Sequence, residues 1–394
     1  MNRVVISCGG TGGHLSPGIA LAEGLAARGD RAVLLISRRR VDAELSGRYP
    51  GLEFVAMPGD GFSWRPGALA RFLLSQAGAI RVCWRVLRRE RPIAVVGFGG
   101  FTSFPLVVAA VLRGLPVALH ESNRVPGRAV RVLGRLARRV YLPPGVTWPG
   151  LRKEVVRPLP LPVRREIRRG SPAVARTALG LDPARPVLAV LGGSQGAGAL
   201  NAWARAAVAP FAAAGVQLHV VTGPGKDRAG TITTETPVGP VRAIFEPFCG
   251  RMADLLTAAD LVVSRAGAGT IAELIRCGTP AILVPYPEAA DNHQEANARW
   301  FAAEGAGAVV TQDRIATLDE VVRATLADAA RLAAWREALR RLDRADPMSA
   351  MLADLDELGR AGAGRAGDRQ AKVAARRRFA PSTSPASRSC RPGF

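Results

Sequence analysis

A short apolar run leads into a glycine-rich turn and then a helix at the very start of the chain, and the same arrangement returns near its middle. Arg3 to Cys8 reads as a strand and runs into Gly9-Gly10-Thr11-Gly12-Gly13-His14, while Val187 to Leu191 runs into Gly192-Gly193-Ser194-Gln195-Gly196. Short unbroken aliphatic runs suit strands covered on both faces, and their alternation with helical stretches points to parallel α/β sheets. In the first half, Gly18 to Arg28 reads as a helix, and Ala32 to Ser37, Ala94 to Gly97 and Val117 to His120 as strands. In the second half, Gln217 to Thr222, Leu261 to Ser264 and Ala281 to Val284 continue a second sheet.

Proline marks the border between these two series. Pro143-Pro144 and the stretch from Arg157 to Pro162 interrupt the pattern, because proline neither donates to a ladder nor continues a helix. The expected organisation is a first α/β unit over residues 1–160 and a second over 161–346. An amphipathic helix from Met348 to Leu358 lies in a segment, 347–360, expected to return to the first unit. A basic tail over 361–394 is expected to be disordered: it lacks apolar periodicity and carries eight basic residues against Asp368 alone.

Composition narrows the function less than the pattern does. The 394 residues are 48% hydrophobic, enough for two cores, with a net charge of +22. Such a charge favours polyanions of any kind: nucleic acid, anionic lipid or phosphorylated substrates. Cys8, Cys83, Cys249, Cys277 and Cys390 are scattered, without metal-ligand spacing, which reads as a reduced cytoplasmic protein. The first residues run straight into a strand without a signal-peptide pattern, and the apolar runs are too short or interrupted to span a bilayer. Any membrane contact is therefore expected to be peripheral.

The glycine-rich turns carry the chemistry. A turn between strand and helix lets backbone N–H groups approach an anionic ligand at the positive end of a helix. The first has Gly-Gly-x-Gly-Gly spacing, which fits the dinucleotide fingerprint poorly and so disfavours a nicotinamide-dependent dehydrogenase. It also places His14 where the helix begins. In the second, Ser194 offers a hydroxyl and an N–H to a phosphate oxygen. A third, Arg265-Ala266-Gly267-Ala268-Gly269-Thr270-Ile271-Ala272-Glu273, follows Leu261 to Ser264 and suits a diphosphate, with Glu273 one turn in and able to hold ribose hydroxyls. Each turn alone also fits an ordinary strand-to-helix connection, and Glu273 a helix-start carboxylate; three together favour nucleotide binding.

With His120-Glu121-Ser122-Asn123 and Asp291-Asn292-His293-Gln294 added in order, the chain resembles the bacterial MurG family from about Met1 to Leu358. The resemblance implies the GT-B architecture, two Rossmann-like domains facing a cleft. It implies an inverting transfer of N-acetylglucosamine from UDP-N-acetylglucosamine to the 4-hydroxyl of undecaprenyl-diphosphate-linked N-acetylmuramoyl pentapeptide (lipid I), giving lipid II for peptidoglycan. The second domain would bind the UDP-sugar, and the first the acceptor and the cytoplasmic face of the cell membrane. By the same resemblance Thr11, Gly12 and Gly13 line the sugar and acceptor side. Asn123 contacts the donor sugar, Arg164 approaches the nucleotide and Ser194 holds diphosphate. The backbone at Cys249 meets the uracil. Ala268, Gly269, Thr270, Ile271, Ala272 and Glu273 hold diphosphate and ribose, and Gln294 contacts sugar hydroxyls. Two departures stand out: Pro160-Leu161 replace the family's Gly-Asn before Pro162-Val163-Arg164, and Cys249 stands where a larger aliphatic residue is usual.

Inversion requires one base on the face opposite the leaving group. His14 is the first candidate, against a role in orienting substrate alone; Glu121 is the second, against a buried structural carboxylate. Helix N-terminal N–H groups, Ser194 and Arg164 would stabilise the leaving UDP. With no Asp-x-Asp motif, neither metal nor cofactor is expected. Residues 60–92 mix Phe62, Trp64, Leu69, Phe72, Leu73, Leu74, Ile80, Val82 and Trp84 with seven arginines; periodicity alone favours a core-facing helix with a solvated basic face, while the lipid acceptor of the resembled family favours an anionic membrane surface. Two rival functions are a related lipid transferase, such as a diacylglycerol glucosyltransferase, and a nucleic-acid-binding protein. The charge lacks any nucleic-acid motif, so no nucleic acid is expected as partner.

Overall fold

The computed structural model describes residues 1–378 apart from Thr11, 60–65, Phe101, Ser194 and 344–345. Two seven-stranded sheets account for the two series. The first comprises β1 (Arg3–Ser7), β2 (Arg31–Ser37), β3 (Glu53–Met57), β4 (Ala94–Gly97), β5 (Val117–His120), β6 (Arg139–Leu142) and β7 (Val156–Pro158). All pair in parallel, in the order β3-β2-β1-β4-β5-β6-β7. The second comprises β8 (Val187–Leu191), β9 (Gln217–Val221), β10 (Gly230–Thr234), β11 (Val241–Glu246), β12 (Leu261–Ser264), β13 (Ala281–Leu283) and β14 (Gly307–Val309). Its order is β10-β11-β9-β8-β12-β13-β14, with only β10 antiparallel. Both sheets reverse direction beside their first strand, between β1 and β4 and between β8 and β12. In open α/β sheets ligands bind at that reversal, outside the carboxyl ends of the strands.

Helices α1 (Gly12–Ala27), α2 (Arg40–Ser46), α3 (Pro66–Glu90), α4 (Ser103–Leu112) and α5 (Arg128–Leu133) belong to the first sheet. Helices α6 (Pro172–Ala178), α7 (Gly198–Ala213), α8 (Met252–Ala258), α9 (Ala268–Cys277), α10 (His293–Ala303), α11 (Leu318–Ala327) and α12 (Ala329–Leu342) belong to the second, and α13 (Pro347–Arg378) follows. Each sheet is buried on both faces. Val4 and Ile6 pack with Leu15, Ile19 and Leu25 on one side of the first sheet; Val5 packs with Val33, Cys83 and Leu106 on the other. This two-sided burial is why the strands read as unbroken aliphatic runs.

Three boundaries differ from the sequence expectation. α1 begins at Gly12 rather than Gly18 and runs through Pro17, whose ring removes the donor the Gly13 carbonyl would otherwise receive and crowds that carbonyl. β7 lies inside the proline-rich stretch and extends the first sheet at its edge, the place where a sheet tolerates proline. The last helix runs past residue 360 to Arg378. Ala361, Ala363, Gln370, Ala371, Lys372 and Ala374 favour helix irrespective of apolar periodicity. Residues 379–394 of the basic tail lie outside the described residues.

α13 packs on the first sheet although it follows the second in sequence. Met351, Leu355 and Leu358 enter the core that holds Val4 and Ile6. Asp354 accepts from Arg139 at 3.0 Å and from the Tyr141 hydroxyl at 2.8 Å. Asp356 pairs with Arg28 at 2.8 Å.

Candidate active site between the two halves

The first glycine turn is held from below by Asp42. Its Oδ2 accepts from the Gly10 N–H and the Ser37 N–H, both at 2.9 Å, and from the Ser37 hydroxyl at 2.5 Å. Gly9 has no alternative residue: a Cβ there would sit 2.3 Å from the Ser37 nitrogen. The turn and the end of β2 therefore lock together, and α1 starts at the cleft with Gly12 and Gly13. Thr11 lies outside the described residues.

α9 starts opposite. Gly267 precedes it in an extended conformation and gives no side-chain cap, so the first N–H groups of Ala268, Gly269 and Thr270 have no partner within the helix. A Cβ built on Gly269 would lie 4.0 Å from the Gly13 Cα. Two helix N-termini, one from each half, thus converge on the same point. Each carries roughly half a positive charge, and their approach is favourable only with an anion between or beside them. Within the second half the turn after β8 packs against the turn after β9, where a Cβ on Gly223 would sit 2.4 Å from the Gly196 Cα. Ser194 itself lies outside the described residues.

Arg164 and Glu273 meet at this convergence. The Arg164 guanidinium donates to Glu273 Oε1 at 2.9 Å, and its other terminal nitrogen reaches the Tyr49 hydroxyl at 3.2 Å and Glu166 Oε1 at 3.1 Å. The Tyr49 hydroxyl donates to Glu166 at 2.7 Å. Pro160-Leu161 therefore leave Arg164 aimed at Glu273. Ile271 is buried in the second core, while Ala272 and Thr270 lie half-buried on the helix.

His14 is half-buried at the start of α1. Its ring lies against the turn after β4, where a Cβ on Gly100 would come within 3.2 Å of Nδ1. Burial pulls its pKa down to about 4; Asp42 opposes the shift and His293 adds to it. The imidazole is therefore neutral at pH 7. His293, the first residue of α10, donates from Nδ1 to the Ala290 carbonyl at 2.7 Å.

Glu121 is buried and fully engaged by its own loop. Oε1 accepts from the Asn123 N–H at 2.9 Å and from the Asn123 amide at 3.1 Å, and Oε2 accepts from the Gly127 N–H at 2.7 Å. Burial raises its pKa, against those hydrogen bonds. Gln294 likewise points its carbonyl at backbone, accepting from Ala266 at 3.2 Å and Tyr286 at 3.0 Å.

Cys249 is buried in the loop that follows β11. Burial and the adjacent Glu246 push its thiol up to about 12. His219 Nε2 lies 2.8 Å from Glu246 Oε1. His219, Glu246 and Cys249 place three ligand-type atoms within 4.8 Å of one another, a donor set chemically able to hold a metal. Beside them Arg48, from the first half, stacks over Phe248 at 4.3 Å and borders a pocket of about 410 Å³.

The structure thus brings Gly12, Gly13, His14, Asn123, Arg164, Ala268 to Glu273 and Gln294 together from both halves where these face each other, with Cys249 in the loop after β11. Three residues were missed. Asp42 holds the first turn. Arg265 donates to the Val284 and Pro285 carbonyls at 3.1 Å each and braces the loop beside α9. Asn297 bonds to both halves. Asn297 lies one helical step from Gln294, but that spacing does not mark it as a link to the first half.

Two family models match the chain: the glycosyltransferase family 28 N-terminal domain over residues 4–142 and its C-terminal domain over 187–347. The UDP-N-acetylglucosamine–N-acetylmuramyl-(pentapeptide) pyrophosphoryl-undecaprenol N-acetylglucosamine transferase of Opitutus terrae is 52% identical over 361 residues, covering 91% of this chain and 96% of the relative. The chain belongs to this family. A second member, from Desulforudis audaxviator, is 38% identical over 90% of this chain and 98% of its own length. The crystal structure of Acinetobacter baumannii MurG superimposes with a TM-score of 0.66 at 25% identity, covering 91% of this chain and all of the other. MurG membership and the two facing sheets agree on a GT-B glycosyltransferase.

Proposed function

We propose that this chain makes lipid II by transferring N-acetylglucosamine from UDP-N-acetylglucosamine to the 4-hydroxyl of the N-acetylmuramoyl group of lipid I, with inversion at the sugar carbon. The observation that carries the site is the convergence of the α1 and α9 N-termini at Gly13 and Gly269, beside Arg164 and Glu273. Nucleotide diphosphate suits that positive focus, with ribose hydroxyls on Glu273 and uracil at the backbone of Cys249. Ser194 adds a diphosphate contact, while Asn123 and Gln294 address the donor sugar from either side, and Thr11, Gly12 and Gly13 border the acceptor.

In the reaction a base takes the proton of the acceptor 4-hydroxyl. The oxygen bonds to the anomeric carbon as its bond to the diphosphate breaks, and UDP leaves with the electron pair. His14 is the favoured base: it is neutral at pH 7, and an approaching diphosphate would raise its basicity toward the useful range. Glu121 is better suited to shaping the 121–127 loop, since both its oxygens already accept hydrogen bonds. The α9 N–H groups and Arg164 offset charge on the departing UDP.

The acceptor side faces lipid. Among the described residues no helix is long and apolar enough to cross a membrane. α3 buries Ala79, Cys83 and Leu87 but exposes Leu74 and Trp84, beside Phe104 and Leu112 of α4. Arg71, Arg81, Arg85 and Arg88 are exposed around them, and Arg113 lies over Trp84 at 5.0 Å. An apolar patch framed by guanidinium groups fits peripheral binding to the anionic cytoplasmic face of the membrane. Phe62 and Trp64 lie outside the described residues.

The test is UDP release from UDP-N-acetylglucosamine with and without a lipid I analogue. Release that depends on the analogue, with a disaccharide product, supports the proposal. Transfer to diacylglycerol and not to the analogue overturns it.

A further inference from the structure

Asn297 is 2% exposed, one turn into α10, and its amide is shared between the two halves. Oδ1 accepts from the Arg124 N–H at 2.9 Å, and Nδ2 donates to the Asn123 side-chain carbonyl at 3.0 Å and to the Ala266 carbonyl at 3.1 Å. Asn123 and Arg124 belong to the loop after β5 of the first sheet. Ala266 belongs to the loop after β12 of the second, directly before α9. With its oxygen turned to accept from Arg124, Asn297 presents its NH2 to Asn123 Oδ1, and this in turn sends the Asn123 amide to Glu121. The amide orientations of the two asparagines are therefore set as a pair.

The start of α10 is fastened to the first half a second time. Arg131 of α5 pairs with Asp291 at 2.8 Å, and Asp291 and Asn292 both hold positive φ angles, 52° and 54°. Two successive non-glycine residues in that region are strained and need surrounding contacts to persist. Asn292 supplies one by donating to Glu295 at 2.6 Å, and His293 another through Ala290.

We infer that Asn297 is a positioning residue that sets the Asn123 side chain from the opposite half, so that recognition of the donor sugar depends on the two halves being apposed. The inference rests on the proposed contact between Asn123 and the donor sugar. The proposed ribose and uracil contacts, Glu273 and the backbone of Cys249, lie on the second half, whereas sugar recognition requires Asn123 of the first half, oriented by α10. UDP and UDP-N-acetylglucosamine should consequently respond differently to loss of the Asn297 amide.

The experiment is calorimetric titration of both ligands into the full chain and its Asn297→Asp, Asn297→Ala, Asn123→Ala and Asn123→Ala/Asn297→Asp variants, with thermal melts to verify folding. Asn297→Asp keeps the acceptor for Arg124 and removes the donor to Asn123, so it serves if the alanine variant fails to fold. The expected result is a Kd for UDP-N-acetylglucosamine raised about tenfold by Asn297→Asp, a Kd for UDP within about twofold of the parent, and little added loss in the Asn123→Ala background. An equal loss for both ligands, no loss for either, or the same tenfold loss in the Asn123→Ala background overturns the inference. Asn123→Ala binding UDP-N-acetylglucosamine as the parent does overturns the sugar contact itself, and the inference with it.

Discussion

The Arg164 guanidinium lies 2.9 Å from the Glu273 carboxylate, so the cation suited to a diphosphate and the carboxylate suited to a ribose neutralise each other at the mouth of the donor site. Both are largely shielded from water, which strengthens the pair and makes the loss of either partner costly. Nucleotide binding as proposed then involves exchange: ribose hydroxyls and phosphate oxygens would replace part of this existing contact.

Glu273→Ala is expected to raise the KM for UDP-N-acetylglucosamine about tenfold or more, with a smaller change in kcat, because the lost contact serves binding before the chemical step. Arg164→Ala should also raise KM and, because Arg164 offsets charge on the departing UDP, should lower kcat more than Glu273→Ala does; in kcat/KM the double variant should cost less than the product of the two. Steady-state kinetics on the four proteins measure this. Fully multiplicative effects would show that the two residues act separately.

His14→Ala is expected to lower kcat by about a hundredfold or more, with calorimetric affinity for UDP-N-acetylglucosamine within a few-fold of the parent. Single-turnover rates separate the two effects. Unchanged turnover removes His14 as the base.

Stability should fall as pH drops from about 6.5 to about 4. Burial pulls both His14 and His120 down to about 4, whereas in the unfolded chain they titrate near 6.5. Between those values the unfolded state binds more protons, so folding stability rises with pH across that window. His120 stacks with Phe98 at 5.4 Å between ring centres, so His120→Phe keeps an aromatic ring and removes one titration. Thermal midpoints from pH 7 to pH 4.5 should decline less steeply in that variant; an unchanged slope assigns the effect elsewhere.

Leu74→Glu combined with Trp84→Glu should abolish sedimentation with vesicles containing anionic lipid. Both side chains are exposed on α3, so folding and UDP binding should persist. Vesicle binding by the variant at parental levels would place the membrane contact on another surface.

The strands that carry the site were legible because each is buried on both faces and reads as an aliphatic run. β10 was not, since it is an exposed edge strand, Gly230–Thr234, with four of its five residues open to solvent. β6 and β7 were hidden by Arg139, Arg157 and Pro158, tolerated near the edge of the sheet. Among site residues, the glycine turns and Glu273 announced themselves through local spacing. Asp42 and Asn297 did not, because their partners are distant in sequence: Asp42 holds the Gly10 N–H 32 positions away, and Asn297 bonds the Asn123 side chain 174 positions away. Such partnerships exist only once the fold has formed.

The return of α13 to the first sheet gives the chain a second crossing. One strand of polypeptide leaves the first half after β7, and another comes back between α12 and α13. Any separation of the two halves must therefore carry both crossings with it, and a cut in either one alone leaves the halves covalently joined.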